Sequence, residues 1–552
     1  MISTRTTNLA DTYTINMGNA ISYDQKPFDL DLGDKGAIRG LQFDNKSRRY
    51  AGIPYALPPT GEHRWRKPRQ LPANYTYSDD TGSPFDATQF KAVCPQNAFH
   101  VGKAEGGSGT YSEDCLFVNI WTPVGDENRE KWPVMLWLHG GWFQMGDPSQ
   151  EPGMDPTELI STGGLNAIVV AIGYRLNIFG FLAGQDLVAE SSGVSGGNFG
   201  LWDQRMAAEW VKENISLFGG DPDNITLAGR SAGAYSVEAQ MCHEFRNQGP
   251  RTSLFRRVFM DSNAIPAQPK SLQDAQLQFD EICKHFNVED SWPAQQKLAA
   301  LRKLSVQELV EVIPKLTHHT FRPITDDLFV HSGMMEYLQS KQFADEFKAR
   351  QYKILIGEVA NEETLYSTYN SPTEPTLEAL RLQVMNYYAP EVSERAIDCY
   401  PLPKSSDLAL WKTLFGNIIS DGQVRAPSRA LVKHLQANSV PIGDIWRYQI
   451  AYRLSFIDEA VAPMSFGVSH AMDKPFWNFS ISYGPTPSER ALMEDWIRIL
   501  VAFVNNDESY QYGTQTVQEM KVITPAGSIE IQEDERWDEL LRIGQIFSGG
   551  MP

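Results

Sequence analysis

Residues 224–233 constrain this chain more than any other stretch. NITLA (224–228) is apolar and β-branched, and it runs without a spacer into Gly229-Arg230-Ser231-Ala232-Gly233. Residues 234–242, directly after it, can form a helix. A strand that becomes a helix so abruptly has no room for side chains at the turn, which is what its two glycines provide. Upstream, residues 134–138 form a short apolar run that ends in His139-Gly140-Gly141-Trp142, and residues 167–173 (AIVVAIG) form another. Such runs predict strands buried on both faces of a mostly parallel sheet. Residues 203–218 place Ala207, Trp210, Val211, Ile215 and Phe218 at helical spacing, and Gly219-Gly220-Asp221-Pro222 predicts the stop. Strand, helix, strand, tight turn, helix is the doubly wound α/β order.

From about residue 270 the pattern turns helical. Residues 271–316 and 376–435 read as amphipathic insertions of the kind that line an active-site entrance, with one short strand at 352–357. No repeat, low-complexity tract or linker divides the 552 residues, so one domain is expected across 1–552. The 49 basic and 68 acidic residues leave a net charge of −19, which disfavours a phosphate backbone as partner. No apolar run approaches the roughly 18–20 residues of a membrane span, so stable insertion is not expected. The first twenty residues lack a continuous apolar segment of the signal-peptide kind, which tilts the expectation towards the cytoplasm unless a leader was removed. Five cysteines, an odd number, do not make a disulfide scaffold. His318-His319 has no third ligand at useful spacing, and no dinucleotide or P-loop fingerprint occurs, so neither metal nor cofactor is implied.

Gly229-Arg230-Ser231-Ala232-Gly233 fits G-x-S-x-G, a nucleophile elbow that lifts a serine Oγ clear of the backbone. By itself the pattern is common and could be a plain turn. Here it has the required context of strand before and helix after. The helix N-terminus then faces a developing oxyanion. About ninety residues upstream, the glycines of His139-Gly140-Gly141-Trp142 leave room for the backbone to approach that oxyanion. The candidate oxyanion hole is therefore Gly140, Gly141 and Ala232, with Trp142 as an alternative donor.

At this point the chain resembles a known family, the type-B carboxylesterases, which include cholinesterases and fungal lipases. YAGIPYALPP (50–59), RWRKP (64–68), SEDCLFVNIW (112–121), GYRLNIFGFL (173–182), GNFGLWD (197–203) and FGGDP (218–222) match its motifs in order. The resemblance points to a fungal-type carboxylesterase with the α/β-hydrolase fold, helical insertions around the site and small-molecule esters as substrates. It also supplies the partners of Ser231. The family's acid lies in G-x-x-x-D-E-G, and residues 357–364 read GEVANEET, which gives Glu362 that role, with Asn361 in place of the Asp, Glu363 in place of the last Gly, and Glu358 and Glu363 as neighbouring rivals. The histidine lies in G-x-x-H, matched by Gly467-Val468-Ser469-His470, with Ala471 where glycine is usual. Cys94 and Cys115 match the family's first disulfide, Cys242 and Cys283 are a weaker candidate pair, and Cys399 is expected as a buried thiol.

Several departures stand out. Arg230 occupies a position that is usually Glu, Asp261-Ser262-Asn263 replaces Gln-Ser-Gly, and Trp142 replaces a third glycine. Arg230 reads either as local drift, charge-compensated by Asp261 or Glu363, or as a substrate-binding cation that favours anionic esters. Trp142 would restrict the acyl side. The 94–115 loop contains Phe99, Tyr111 and Lys103 but no tryptophan, so the cation–π platform of a cholinesterase is not expected. Two other readings share these motifs: a catalytically inactive interaction module, and the same chemistry applied to a thioester, amide or lactone.

Overall fold

The computed structural model describes residues 23–96, 110–125, 131–149, 155–247, 249, 253–460 and 462–549. Among them runs a thirteen-stranded sheet. Its main strands are β1 (Gln25–Asp31), β2 (Ala37–Phe43), β3 (Ser47–Pro54), β4 (Phe117–Pro123), β5 (Trp132–Leu138) and β6 (Ile168–Ile172). They continue with β7 (Gly220–Arg230), β8 (Arg257–Asp261), β9 (Lys353–Val359), β10 (Ile445–Ile450), β11 (Glu519–Ile523) and β12 (Ile529–Glu533). The spatial order is β1-β2-β3-β4-β6-β5-β7-β8-β9-β10-β11-β12, and the two-residue strand Phe85–Asp86 pairs with β2. Every pairing from β6 to β11 is parallel, the pairings from β1 to β6 and of β11 with β12 are antiparallel, and the short Phe85–Asp86 strand runs parallel to β2. This is the α/β-hydrolase architecture.

The apolar runs are continuous because both faces are covered. Val134, Leu136 and Leu138 of β5 join one core, and Met135 and Trp137 join the other. Val258 and Met260 of β8 divide from Phe259 in the same way. Side chains of period two thus feed two cores from one strand. The helix α1 (Phe199–Asn214) begins slightly before the predicted segment, and its last predicted turn is a 3-10 helix at Ile215–Phe218. Strand β7 begins at Gly220, inside the predicted turn, and its register against β5 is irregular between Gly220 and Ile225.

Two motifs that the sequence reading left as patterns prove to hold one another. Arg175 donates to both Asp203 carboxylate oxygens, at 2.8 and 2.6 Å, in a fully buried pair. Arg64 similarly grips Glu113 at 2.6 and 2.5 Å. The insertions are helical as expected and include α3 (Leu272–His285), α4 (Leu408–Ser420) and α5 (Ala426–Ala437). Cys94 and Cys115 form a disulfide. Cys242 and Cys283 do not pair: both are buried free thiols, on α2 (Ala232–Asn247) and α3. Cys399 is a free thiol that is only half-buried. In the loop closed by the disulfide, Tyr111 is exposed, whereas Phe99 and Lys103 lie outside the described residues.

Candidate active site

Strand β7 delivers Ser231 into α2 with a φ of +56°, a left-handed conformation that costs a non-glycine residue energy and recurs at functional turns. The Ser231 N–H donates to the Asp261 carbonyl at 2.8 Å, which ties the elbow to β8. The flanking glycines are required by contact. A Cβ on Gly229 would stand 2.5 Å from the backbone of Gly233, and one on Gly233 would stand 2.1 Å from the Leu138 carbonyl oxygen. The oxyanion loop presses on the same turn. A Cβ on Gly140 would meet the Arg230 carbonyl oxygen at 2.7 Å and Ser231 Cβ at 3.0 Å.

His139 braces that loop from behind. Its ring Nδ1 donates to the Gly140 carbonyl at 2.8 Å, and it stacks on Tyr174, whose hydroxyl donates to the His139 carbonyl at 2.8 Å. Burial pushes the His139 imidazole down to about 4, against the favourable Gly140 contact, so it is neutral at physiological pH. Beyond the glycines, Trp142 and Phe143 both hold left-handed φ, of +57° and +67°. The Trp142 ring packs towards Tyr369 and Tyr366, with centroids at 5.9 and 6.5 Å.

The acid and the histidine meet on the other side. His470 Nδ1 bonds Glu362 Oε2 at 2.5 Å, and Glu362 Oε1 accepts the Val359 N–H at 2.9 Å. Both side chains are buried. The rivals are engaged elsewhere: Glu358 takes Arg429 at 2.7 and 2.9 Å, and Glu363 takes Arg425 at 2.6 Å. The two loops are clasped by Asn361, whose N–H donates to the Val468 carbonyl and whose side chain accepts the Val468 N–H. Thr364 adds bonds to the Phe466 carbonyl and to Ser469 Oγ. Asn361 registered in the sequence only as a departure from Asp. Its clasping role depends on a partner more than a hundred residues away, so no local signal announces it. Ala471 holds a φ of +68°, which accounts for glycine being usual there.

The Arg230 guanidinium stands beside Trp137 of β5, and its charge is felt at His139. It lines a small cavity of about 30 Å³ with Trp137, Asp261, Lys474 and Trp477, and Ser231, Gly140, Gly141 and His470 are not among the lining residues. Its Cζ lies 5.9 Å from the Trp137 ring centroid. Burial and the adjacent Asp473 push the Asp261 carboxyl well above the usual range, while Arg230 and the Tyr448 hydroxyl, bonded at 2.8 Å, oppose this. Of the two nominated acids, then, Asp261 is the one that interacts with Arg230; Glu363 belongs to Arg425. Among the described residues there is no group of three His, Cys, Asp or Glu side chains disposed to hold a metal ion. Likewise no helix there is long and apolar enough to cross a membrane.

A serine on a strained turn between β7 and α2, with a glycine loop pressed against it, is a feature of the α/β-hydrolase fold. Comparison with known proteins makes this specific. The model of the carboxylesterase family matches residues 30–540, and the chain belongs to that family. It is 36% identical over 537 residues to an uncharacterized esterase/lipase of Schizosaccharomyces pombe, covering 95% of this chain and 97% of the relative. A carboxylic ester hydrolase of Gibberella moniliformis is 34% identical over 542 residues, covering 96% and 98%. Among solved structures, a PNB esterase superposes with a TM-score of 0.71 at 25% identity, covering 92% of this chain and 98% of that one. The protein is a carboxylesterase.

Proposed function

We propose that ester hydrolysis proceeds through an acyl-enzyme formed on Ser231, with His470 as general base and then general acid, and Glu362 as its orienting carboxylate. The observation that carries this reading is the buried Glu362–His470 hydrogen bond of 2.5 Å, made by that carboxylate and neither of its neighbours. Serine is a weak nucleophile at neutral pH, so a base must take its proton as it attacks the ester carbonyl. Glu362 holds the proton on Nδ1, which leaves Nε2 free to accept it, and stabilises the imidazolium that results. Backbone N–H groups of Gly140, Gly141 and Ala232 receive the oxyanion. His470 then protonates the departing alcohol oxygen, and water, deprotonated by the same imidazole, releases the acid. Trp142 borders the acyl side. Arg230 supports the elbow from behind, within its cavity, and its position does not support a contact with substrate. The retained acid–histidine pair weighs against an inactive interaction module. The Cys94–Cys115 disulfide fits an oxidising compartment better than the reducing cytoplasm.

The test is a panel of p-nitrophenyl esters from acetate to palmitate, with and without a serine-directed phosphonate. Hydrolysis that the phosphonate abolishes is expected. Turnover that survives stoichiometric phosphonate would contradict a serine mechanism.

A further inference from the structure

Glu363, which stands where the family's acid pattern ends in glycine, has a partner 62 residues away. Arg425 Nη2 donates to Glu363 Oε2 at 2.6 Å and to the Ala360 carbonyl at 3.1 Å. These two acceptors bracket Asn361 and Glu362. One guanidinium nitrogen therefore spans the short segment that carries the acid.

Arg425 is itself held from behind. It closes a turn of π-helix, Asp421–Arg425, that joins α4 to α5, and all five residues of the turn are buried. Such a turn holds an extra residue relative to an α-helix, redirects the side chains that follow, and recurs at functional sites. Arg425 Nη1 donates to Asp421 Oδ1 at 3.1 Å and to Ser420 Oγ at 3.2 Å. Asp421 also accepts Arg536, at 3.2 and 3.0 Å, and the Tyr400 hydroxyl at 3.0 Å, so the anchor extends to the C-terminal region. The Gln423 carbonyl of the same turn accepts the Ala264 N–H at 3.0 Å, three residues past Asp261. Helix α4 lies so close to the helix Glu362–Thr368 that a Cβ on Gly416 would stand 2.5 Å from the Glu363 carbonyl oxygen. The acid loop is thus fixed on two sides, by the Asn361 clasp towards His470 and by Arg425 towards the insertion.

Arg425 is buried, and the Glu363 side chain is part-exposed. Burial works against the guanidinium charge, yet Glu358, Asp421 and Glu363 outweigh it and hold Arg425 above its ordinary value. A planar, delocalised cation also fixes direction at each acceptor, which an ammonium on a flexible stem does not.

We propose that Arg425 and Glu363 are positioning residues for the triad: their ion pair, shared with the Ala360 carbonyl, sets the direction in which Glu362 meets the His470 ring. The inference rests on the acyl-enzyme reading above. On this account the residue that replaces glycine in the acid pattern supplies the handle by which the helical insertion holds the catalytic loop.

The experiment measures kcat and KM for p-nitrophenyl butyrate between about pH 5 and 9 on wild type, Arg425→Lys, Glu363→Gln, the double variant and Glu362→Gln. Arg425→Lys keeps the charge and loses the planar fork, whereas Glu363→Gln keeps the shape and loses the charge. Each should lower kcat by about three- to thirtyfold with KM changed less than about twofold, since a misdirected acid weakens the transition state and not substrate binding. The double variant should fall no more than about twofold below Arg425→Lys, because both substitutions break the same pair. With charge conserved in Arg425→Lys, the acid limb of kcat/KM should move at least about half a pH unit lower, as a loosened carboxylate stabilises the imidazolium less. A kcat within about twofold of wild type in both single variants, losses that multiply in the double variant, or an unmoved acid limb in Arg425→Lys would overturn the assignment. Should Arg425→Lys prove insoluble, the kcat of Glu363→Gln alone decides by the same criterion. If Glu362→Gln keeps more than about a tenth of wild-type kcat, the triad reading itself has failed, whatever the other variants do.

Discussion

Around Ser231 the backbone is held by contact distances that no side chain can enter, whereas around His470 it is held by side-chain hydrogen bonds between two loops. In the elbow, an added Cβ at Gly233 would lie 2.1 Å from a strand carbonyl. In the clasp, Asn361 and Thr364 join the acid loop to residues 466–469 through bonds of ordinary length. Steric exclusion fixes residue identity, while a hydrogen-bonded clasp accepts several solutions. The two elbow glycines and Gly140-Gly141 accordingly match their pattern, while departures fall at Arg230 and Trp142 beside them and at Asn361, Glu363 and Ala471 across the clasp.

The contrast is sharpest in Gly233→Ala. The new methyl would collide with backbone that cannot rotate aside, so a loss of more than about 4–5 kcal/mol, or no soluble protein, is expected. Urea denaturation and soluble yield check this, and a variant within about 1 kcal/mol of wild type would remove the steric account.

Acid titration probes the same side through His139. Its imidazole titrates at about 4 when folded and at 6.5 when unfolded, so the unfolded chain binds more protons between those values. The stabilisation is therefore present in full above pH 6.5 and lost as pH falls through about 4, a change of roughly 3 kcal/mol. Unfolding free energies of His139→Gln measured across this window should show a flatter acid limb than wild type. Identical limbs would mean that His139 is not held neutral by burial.

The clasp predicts smaller losses. Asn361→Ala removes the acceptor of the Val468 N–H and should cost about 1–3 kcal/mol in stability. Displacing the histidine loop should lower kcat by roughly ten- to a hundredfold with little change in KM. If stability falls and kcat does not, Asn361 supports the loop without positioning His470. The smallest effect runs the other way. Ala471→Gly relieves a left-handed φ and should stabilise by a few tenths to about 1 kcal/mol, the backbone entropy of glycine offsetting part of the gain. A loss of stability at that position would contradict the strain assigned to it.

The same distinction explains what was legible in the sequence. Strands β5, β6 and β7 are short β-branched runs because both of their faces are buried, and the elbow is marked by residues that sterics dictate. Strand β10 gave no such run: its Arg447 is buried by pairing with Asp534, which Arg429 also grips, each at 2.7 Å. A strand whose buried arginine depends on Asp534 and on carbonyls of residues 517–518 has no local apolar signature. The start of β7 was hidden by Gly219-Gly220-Asp221-Pro222, which reads as a turn although pairing resumes at Gly220. Arg230 could be noticed because it replaces an acid beside the nucleophile, but its direction, into a cavity shared with Asp261, is a tertiary property. Arg425 lies inside the segment read as an amphipathic insertion, and only the fold brings it to residues 360–363.

The central claim is that Ser231 carries the covalent chemistry, and the most direct measurement follows that bond. Wild type and Ser231→Ala are treated with a serine-directed phosphonate, digested and mapped by mass spectrometry, with turnover of p-nitrophenyl butyrate measured in parallel. One label per wild-type chain is expected, on the peptide that contains Ser231, with no label in the variant and turnover reduced by a factor of about a thousand or more. A label on another residue, or a Ser231→Ala variant that keeps more than roughly a tenth of wild-type turnover, would contradict that claim.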